Sequence, residues 1–445
     1  MEVRTLADVT EAMAAHLLRR AAFGGTAGDV AAGAAAGIEG TIDSLLNYDP
    51  AAVEQLQPPA PKGQPLDMTK LPSVQLWWLD RMVRTPSPLQ ELMTLFWHNH
   101  FATGNSKVNN PPLMQRQNQL FRSNALGNFQ TMLQQVTRDP AMLIWLDGTT
   151  SHKRAPNENY GRELMELFSL GVGNFTEADV HAAARAFTGF HTDKSGNVVY
   201  NKNDHDDTVK TFLGQTGPWG PDDAIRIILS QPAHPTFLAG KLWRFFIGPN
   251  PSPAQLAPHA QAYQASGFDL KALVGSILRS PDFADPSSRY ALVRSPAELV
   301  AATLRRLNPG QPVAQPGLPY AVDLMGMELF NPPNVGGWPG GLASPNWINP
   351  GTLMTRFNFA EQVAHALPAA AIGQTAAGLD PTQSKTQTIS VVNAWSGRLG
   401  VTDLTDASLS AITAYAASAT SAKSVQAKSR GLVQLLLASP EFQLK

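Results

Sequence analysis

Apolar residues recur every three or four positions along most of this chain, and nowhere do alternating runs accumulate that would build a central sheet. That periodicity predicts an all-α protein, a single large helical domain with long irregular loops and at most a small β-hairpin. The strand-like run that stands out is GNVVY at 196–200. With 445 residues, 43% of them hydrophobic and 16% charged, the chain can bury a sizeable core. We expect a main helical domain over 1–366 and a C-terminal helical segment, 367–445, packed on it.

Local chemistry marks where helices start and stop. In TPSPLQELMTLFWHNHFATG, Ser87 stands as N-cap, Pro88 fits the first helical position and Gln90 completes a capping box. NENYGRELMELFSLGVG reads as a helix ended by Gly171, and Thr176 caps the next one with Asp179 in its first turn. Residues 50–72 read as a surface crossing, 191–220 as a long polar loop, 331–351 as irregular and 367–388 as a linker. The segments LVGSILRSPDF (273–283) and LVQLLLASPEF (432–442) share their Leu-Val start, Ser-Pro stop and final Phe. Each reads as a helix terminator whose Leu273, Ile277, Leu278 and Phe283, or Leu432, Leu436, Leu437 and Phe442, belong to the core.

Composition removes several functional classes. A net charge of −1 without basic runs speaks against a nucleic-acid partner. The absence of cysteine excludes disulfides, thiolate metal sites and a cysteine nucleophile. No apolar run reaches the roughly 20 residues of a membrane span. The first residues lack the basic and apolar regions of a secretory signal, which leaves a cytoplasmic protein or one whose leader has been removed. No Walker A loop, dinucleotide turn, His-Glu-x-x-His or Gly-x-Ser-x-Gly occurs, so no nucleotide cofactor is expected.

Five groups carry chemistry. His100 falls in the centre of the stripe Leu89, Leu92, Met93, Phe96 and Trp97, with His98 on the opposite side; an imidazole so placed is a core residue or a catalytic one. Asn159, Glu163 and Glu166 form one helical ridge beside Arg162. The two carboxylates are either neutralised by Arg162, Arg185 or Arg116, or they form a metal or acid–base site. DHDD at 204–207, followed by Lys210, suits a hard or borderline cation, or is a solvated loop. His234 packs where a helix begins. Trp338, Asn346, Trp347 and Asn349, on a Gly-rich run, stack on a sugar ring or fill a core.

Taken in order, HLLRRAAFGGT, FWHNHFATG, NENYGRELMELFSLGVGNFTEADVHAAARAFTGF, HDDTVKTFLGQTG, HPTFLAGKLWRFF, LVGSILRSPDF, VRSPAELV and LFNPPNVGGWPGG…WINPGTLMTRFNFA resemble the bacterial family catalogued as domain of unknown function 1800. The resemblance runs from about residue 15 to the C-terminus. It implies a large helical protein, often exported and often encoded beside a family similar to sulfatases and alkaline phosphatases. It carries no reaction. Asp207-Thr208 stands where the family commonly has glycine, while His205, Asp206 and Lys210 match.

Two readings follow. The first is a metal-assisted enzyme, hydrolytic or oxidative, on an envelope or extracellular substrate. In it Glu163, Glu166, Arg162 and His100 are catalytic, and Asn159, Lys210, Trp338 and Trp347 contact substrate. Glu163, Glu166, His205 and Asp206 hold a divalent ion of a kind that imidazole and carboxylate suit, zinc, manganese or iron. The second is a non-catalytic scaffold or partner of a sulfatase- or phosphatase-like protein, with the polar cluster structural. A metal-free glycosidase is disfavoured, because adjacent turns of one helix cannot flank a bond from two sides. The resemblance favours export, with the leader absent from this chain and the cytoplasm as the alternative.

Overall fold

The computed structural model describes all residues except 1–5, 194, 195, 376–383, 402 and 419–424. It is 64% helical. Among the described residues the strands form two antiparallel ribbons, Phe190–Thr192 with Val198–Tyr200 and Lys210–Phe212 with Gln215–Gly217. The all-α expectation holds, and GNVVY supplies one side of the first ribbon. The second ribbon lies inside the stretch read as irregular loop. Among the described residues no helix is long and apolar enough to cross a membrane.

One contiguous apolar cluster extends from Leu17 to Phe442. Both Ser-Pro terminators feed it. Leu273, Ile277, Leu278 and Phe283 are buried, and so are Leu432, Leu436, Leu437 and Phe442. Ser280 accepts from the Phe283 N–H and so turns the chain back into the core. Helix Val425–Ala438 packs on helix Pro350–Ala366, and Arg398 donates to the Leu307 carbonyl at 3.0 Å. The start of the expected linker is helix Ala369–Thr375, and Ser384 caps helix Lys385–Leu399. The rest of that linker, 376–383, lies outside the described residues.

Helix Pro88–His100 is buried on nearly every side, which the single stripe did not foretell. His98, opposite His100, accepts from the Phe330 N–H and packs against Trp78, Phe330 and Trp338. The expected capping box at its start does not form. Ser87 makes no side-chain cap, and the Gln90 amide instead donates to the Pro50 and Arg122 carbonyls. Tertiary partners outcompete the local ones. In the first turn of the helix, Glu91 forms a fully buried ion pair with Arg122, completed by the Trp78 indole N–H on Glu91 and by Asn118 on Arg122.

Thr176 and Asp179 form a reciprocal capping box, and Gly171 takes φ +83°, both as expected. Between them the helix does something unforeseen. After Glu158–Glu163 it widens into a π-helical turn over Leu164–Ser169, with the Leu170 N–H reaching back to the Met165 carbonyl. The Phe168 and Ser169 carbonyls, at the C-terminal end of this segment, have no partner in the helix ladder. His100 donates through Nε2 to Phe168 at 3.1 Å, and His234 through Nδ1 to Ser169 at 3.0 Å.

Candidate metal centre

His100 is buried among Phe96, Trp97, Phe101, Phe129 and Phe168, and burial drives its basicity far down. It is a neutral core imidazole that bridges two helices. His234 plays the same part, accepting from the Tyr263 hydroxyl with its second nitrogen. On the carboxylate ridge, Arg162 turns away from Glu163 and Glu166 and pairs with Glu158 and Glu177, at 3.2 and 2.7 Å. Arg185 goes to Asp206. The neutralising network expected around the ridge is therefore built on other acids. Glu163 and Glu166 are half-buried with no hydrogen-bond or ion-pair partner among the described residues. Burial, then the Glu166 charge, raises the Glu163 carboxyl above the usual range. Asn159 donates to Asp147 at 3.1 Å.

The long loop divides its polar residues between two tasks. His205 sits buried, with Nδ1 against the Thr188 carbonyl at 3.1 Å. Asp206 accepts from Arg185 and from Thr208. Its carboxyl is held well below the usual range by Arg185 and Thr208, which outweigh the upward push of burial. Lys210 is buried, its ammonium donating to the Asp206 and Trp219 carbonyls at 2.8 and 2.9 Å. These contacts tie the loop to the Glu177–Ala186 helix and to itself.

Asp204 turns the other way. Its Oδ2 lies 2.5 Å from His152 Nδ1 and 3.0 Å from His191 Nε2. Among the described residues, this is the group of three His, Asp or Glu side chains whose ligand atoms all fall within 4.8 Å of one another. Glu163, Glu166, His205 and Asp206 do not gather in that way. His152 comes from a tight turn after Gly148–Thr150, His191 from the first ribbon, and Asp204 from the 3₁₀ turn Lys202–Asp204 that Asn201 caps. Side-chain exposures of 47%, 28% and 25% leave the group open to solvent on one side. His152 holds the Asp204 carboxyl below the usual range, so it stays ionised. His191 Nε2 is itself buried and makes no hydrogen bond, although the carboxylate is close.

Backbone contacts bring the three segments together. Gly189 donates to Ser151 O at 3.2 Å, Asn201 to Gly189 O at 2.8 Å and Lys153 to Asp204 O at 3.1 Å. Gly189 has φ +96°, and a Cβ there would stand 2.9 Å from the Asn201 carbonyl oxygen. Gly189→Ala is expected to cost about 1–3 kcal/mol through that strain and to pull His191 away from Asp204. Denaturant unfolding reads the first effect, and the loss of any ion binding reads the second. An unchanged midpoint would show that the crossing is slack.

The triad fits a small divalent ion. Ligands 2.0–2.1 Å from a tetrahedral centre stand about 3.3 Å apart, so the Asp204 oxygen, 2.5 and 3.0 Å from the two nitrogens, needs to draw back from each by less than about 1 Å. Two imidazoles and one carboxylate suit zinc, manganese or iron(II). Of the remaining expected residues, Trp347 is buried and its N–H donates to Leu342 O, so it fills the Gly-rich loop from within. Asn349 caps helix Pro350–Ala366, and Asn346 donates to Pro339 O. Trp338 lines a cavity beside helix Pro88–His100. In the sequence His152 and His191 each stand alone in a polar stretch and form no motif, whereas Asp204 belongs to DHDD.

A family model described as "Protein of unknown function (DUF1800)" matches residues 16–444. Among curated proteins and solved structures, none matches the chain.

Proposed function

As the chain belongs to the DUF1800 family of proteins of unknown function, which supplies no reaction, we propose from geometry that it is a metal-assisted enzyme whose ion sits on His152, His191 and Asp204. The observation that carries this reading is the buried, unbonded Nε2 of His191 aimed at a carboxylate that His152 also faces. A divalent ion held by three protein atoms keeps a position for water and brings its pKa to about 7, the chemistry of hydrolysis. The half-exposed His152 side leaves room for a substrate to approach. An envelope or extracellular substrate, and export to reach it, remain part of this proposal through the family resemblance alone.

Zinc titration of chelator-stripped protein, with metal content measured after desalting, tests the site. Asp204→Asn should weaken binding by at least about 100-fold, the upper end of what loss of an outer-shell partner costs. Glu163→Gln should leave it unchanged. If Glu163→Gln strips the ion and Asp204→Asn does not, the ion does not sit on the triad. One observation favours the scaffold reading, whose sulfatase- or phosphatase-like partner comes from the family resemblance alone. The Lys153 N–H to Asp204 carbonyl bond lets the same residues act as a loop clasp. On that reading no ion binds, and Asp204→Asn lowers stability alone.

A further inference from the structure

A second feature lies away from the His–Asp triad and is independent of it. Helix Pro88–His100, helix Ala233–Phe246 and the Gly-rich loop enclose a cavity of about 420 Å³, within the range of small-molecule pockets. Phe96, Phe245 and Trp338 form apolar walls. Lys241 and Arg244 reach it from one helix, and none of its lining residues is acidic. Neither cation has a hydrogen-bond or ion-pair partner among the described residues. The ring of Phe237 lies 5.2 Å from the Lys241 ammonium.

That is an unusual way to spend charge. Elsewhere in this protein, buried cations are met by oxygen. Arg122 has Glu91, Lys445 has Glu298, and Lys210 has two carbonyls. A partly buried ammonium beside a guanidinium, with no carboxylate to balance them, costs free energy unless something anionic arrives. Burial and then Arg244 both push Lys241 down, to about 8, which leaves it mostly charged at neutral pH.

Helix and loop each supply an oriented donor. Asn99 Oδ1 accepts from the Trp338 N–H at 3.0 Å, and Asn334 Oδ1 accepts from the Gly336 N–H at 2.8 Å. Each amide oxygen being taken, each amide NH2 is left to donate. Gly337, at φ +85°, lets the loop backbone press onto Asn99, where a Cβ would stand 2.6 Å from the Asn99 carbonyl. The loop is thereby fixed against the helix, so that the donors are preorganised.

We infer that this cavity binds an organic oxyanion, a carboxylate or phosphate on a planar apolar body, with Lys241 and Arg244 on the anionic head and Trp338 against the body. Two cations with amide donors recognise the head, and aromatic walls recognise the rest.

Tryptophan fluorescence and calorimetric titration of the full chain, with phenyl phosphate, benzoate, inorganic phosphate and neutral phenol as probes, test the inference. Phenyl phosphate or benzoate should bind saturably, inorganic phosphate more weakly and phenol not measurably. Lys241→Met, which keeps the stem and removes the charge, should weaken binding at least about tenfold, the worth of a hydrogen bond to a charged group. Lys241→Arg should retain it. Arg244→Gln, at an exposed position, gives a second reading if Lys241→Met fails to fold. Equal binding of phenol and phenyl phosphate would overturn the proposal. So would unchanged affinity in both charge-removing variants, or no saturable binding of any anion. Inorganic phosphate binding as tightly as phenyl phosphate would reduce the site to one for a free ion.

Discussion

On acidification the protein should lose most of its stability between about pH 6.5 and 4.5, above the range in which ordinary carboxylates titrate. Burial pushes His16 down to about 2, His98 to about 3 and His234 to about 4, and drives His100 the same way. In the unfolded chain these imidazoles take up protons below about 6.5, while the folded protein keeps them neutral. The unfolded state therefore binds more protons across this window, and stability falls as pH falls. By pH 4.5 His16, His98 and His234 each cost between about 2 and 3 kcal/mol, roughly 8 kcal/mol together. Asp139 opposes them. Burial raises it to about 6, so below that pH the folded state holds a proton the unfolded one lacks, returning about 2 kcal/mol at pH 4.5. The net loss of about 6 kcal/mol rivals the whole stability of an ordinary domain. Denaturant unfolding at a series of pH values measures it. A flat profile from pH 7 to 4.5 would mean that these rings are solvated in the folded protein.

Removing one half of the buried ion pair should do nearly as much damage at neutral pH. Arg122→Ala leaves Glu91 fully buried with the Trp78 N–H as its remaining hydrogen-bond partner among the described residues. Such a stranded charge costs about 3–5 kcal/mol. The double variant Glu91→Leu with Arg122→Met removes both charges and keeps volume, and it should recover most of that loss, because desolvating two ions offsets much of their attraction. Urea midpoints with unchanged slopes would report this. A single variant that loses less than about 1 kcal/mol, or a double variant no better than the single, would show that Glu91 finds water or another cation.

Much of the fold was legible because its helices carry their instructions locally. The Thr176–Asp179 box, the Gly171 stop and the Ser-Pro terminators all lie within a turn or two of what they control. What failed did so where distant groups intervene. Gln90 leaves its capping role for carbonyls at Pro50 and Arg122. Arg162 was placed beside Glu163 and Glu166 by helical spacing, yet Glu177 arrives from the next helix and claims it. The candidate site was harder still. His152 and Asp204 are 52 residues apart, and neither sits in a periodic segment. Their meeting depends on a loop crossing at Gly189, which no local pattern announces. Helical spacing places Glu163 and Glu166 on one ridge, but what that ridge faces is not readable from one helix.

The widened turn at Leu164–Ser169 sets a rule about chain length. Each residue of an ordinary helix advances the next by about 100°. A turn closed one residue later holds one residue more for nearly the same rotation, so the same residues wound regularly would carry their end about that much further round. The Phe168 and Ser169 carbonyls would then swing off the two imidazoles that now hold them. Loss of one residue within Leu164–Ser169 would be taken up by regular winding, whereas the gain of one would turn everything downstream. Here the number of residues matters more than their identity.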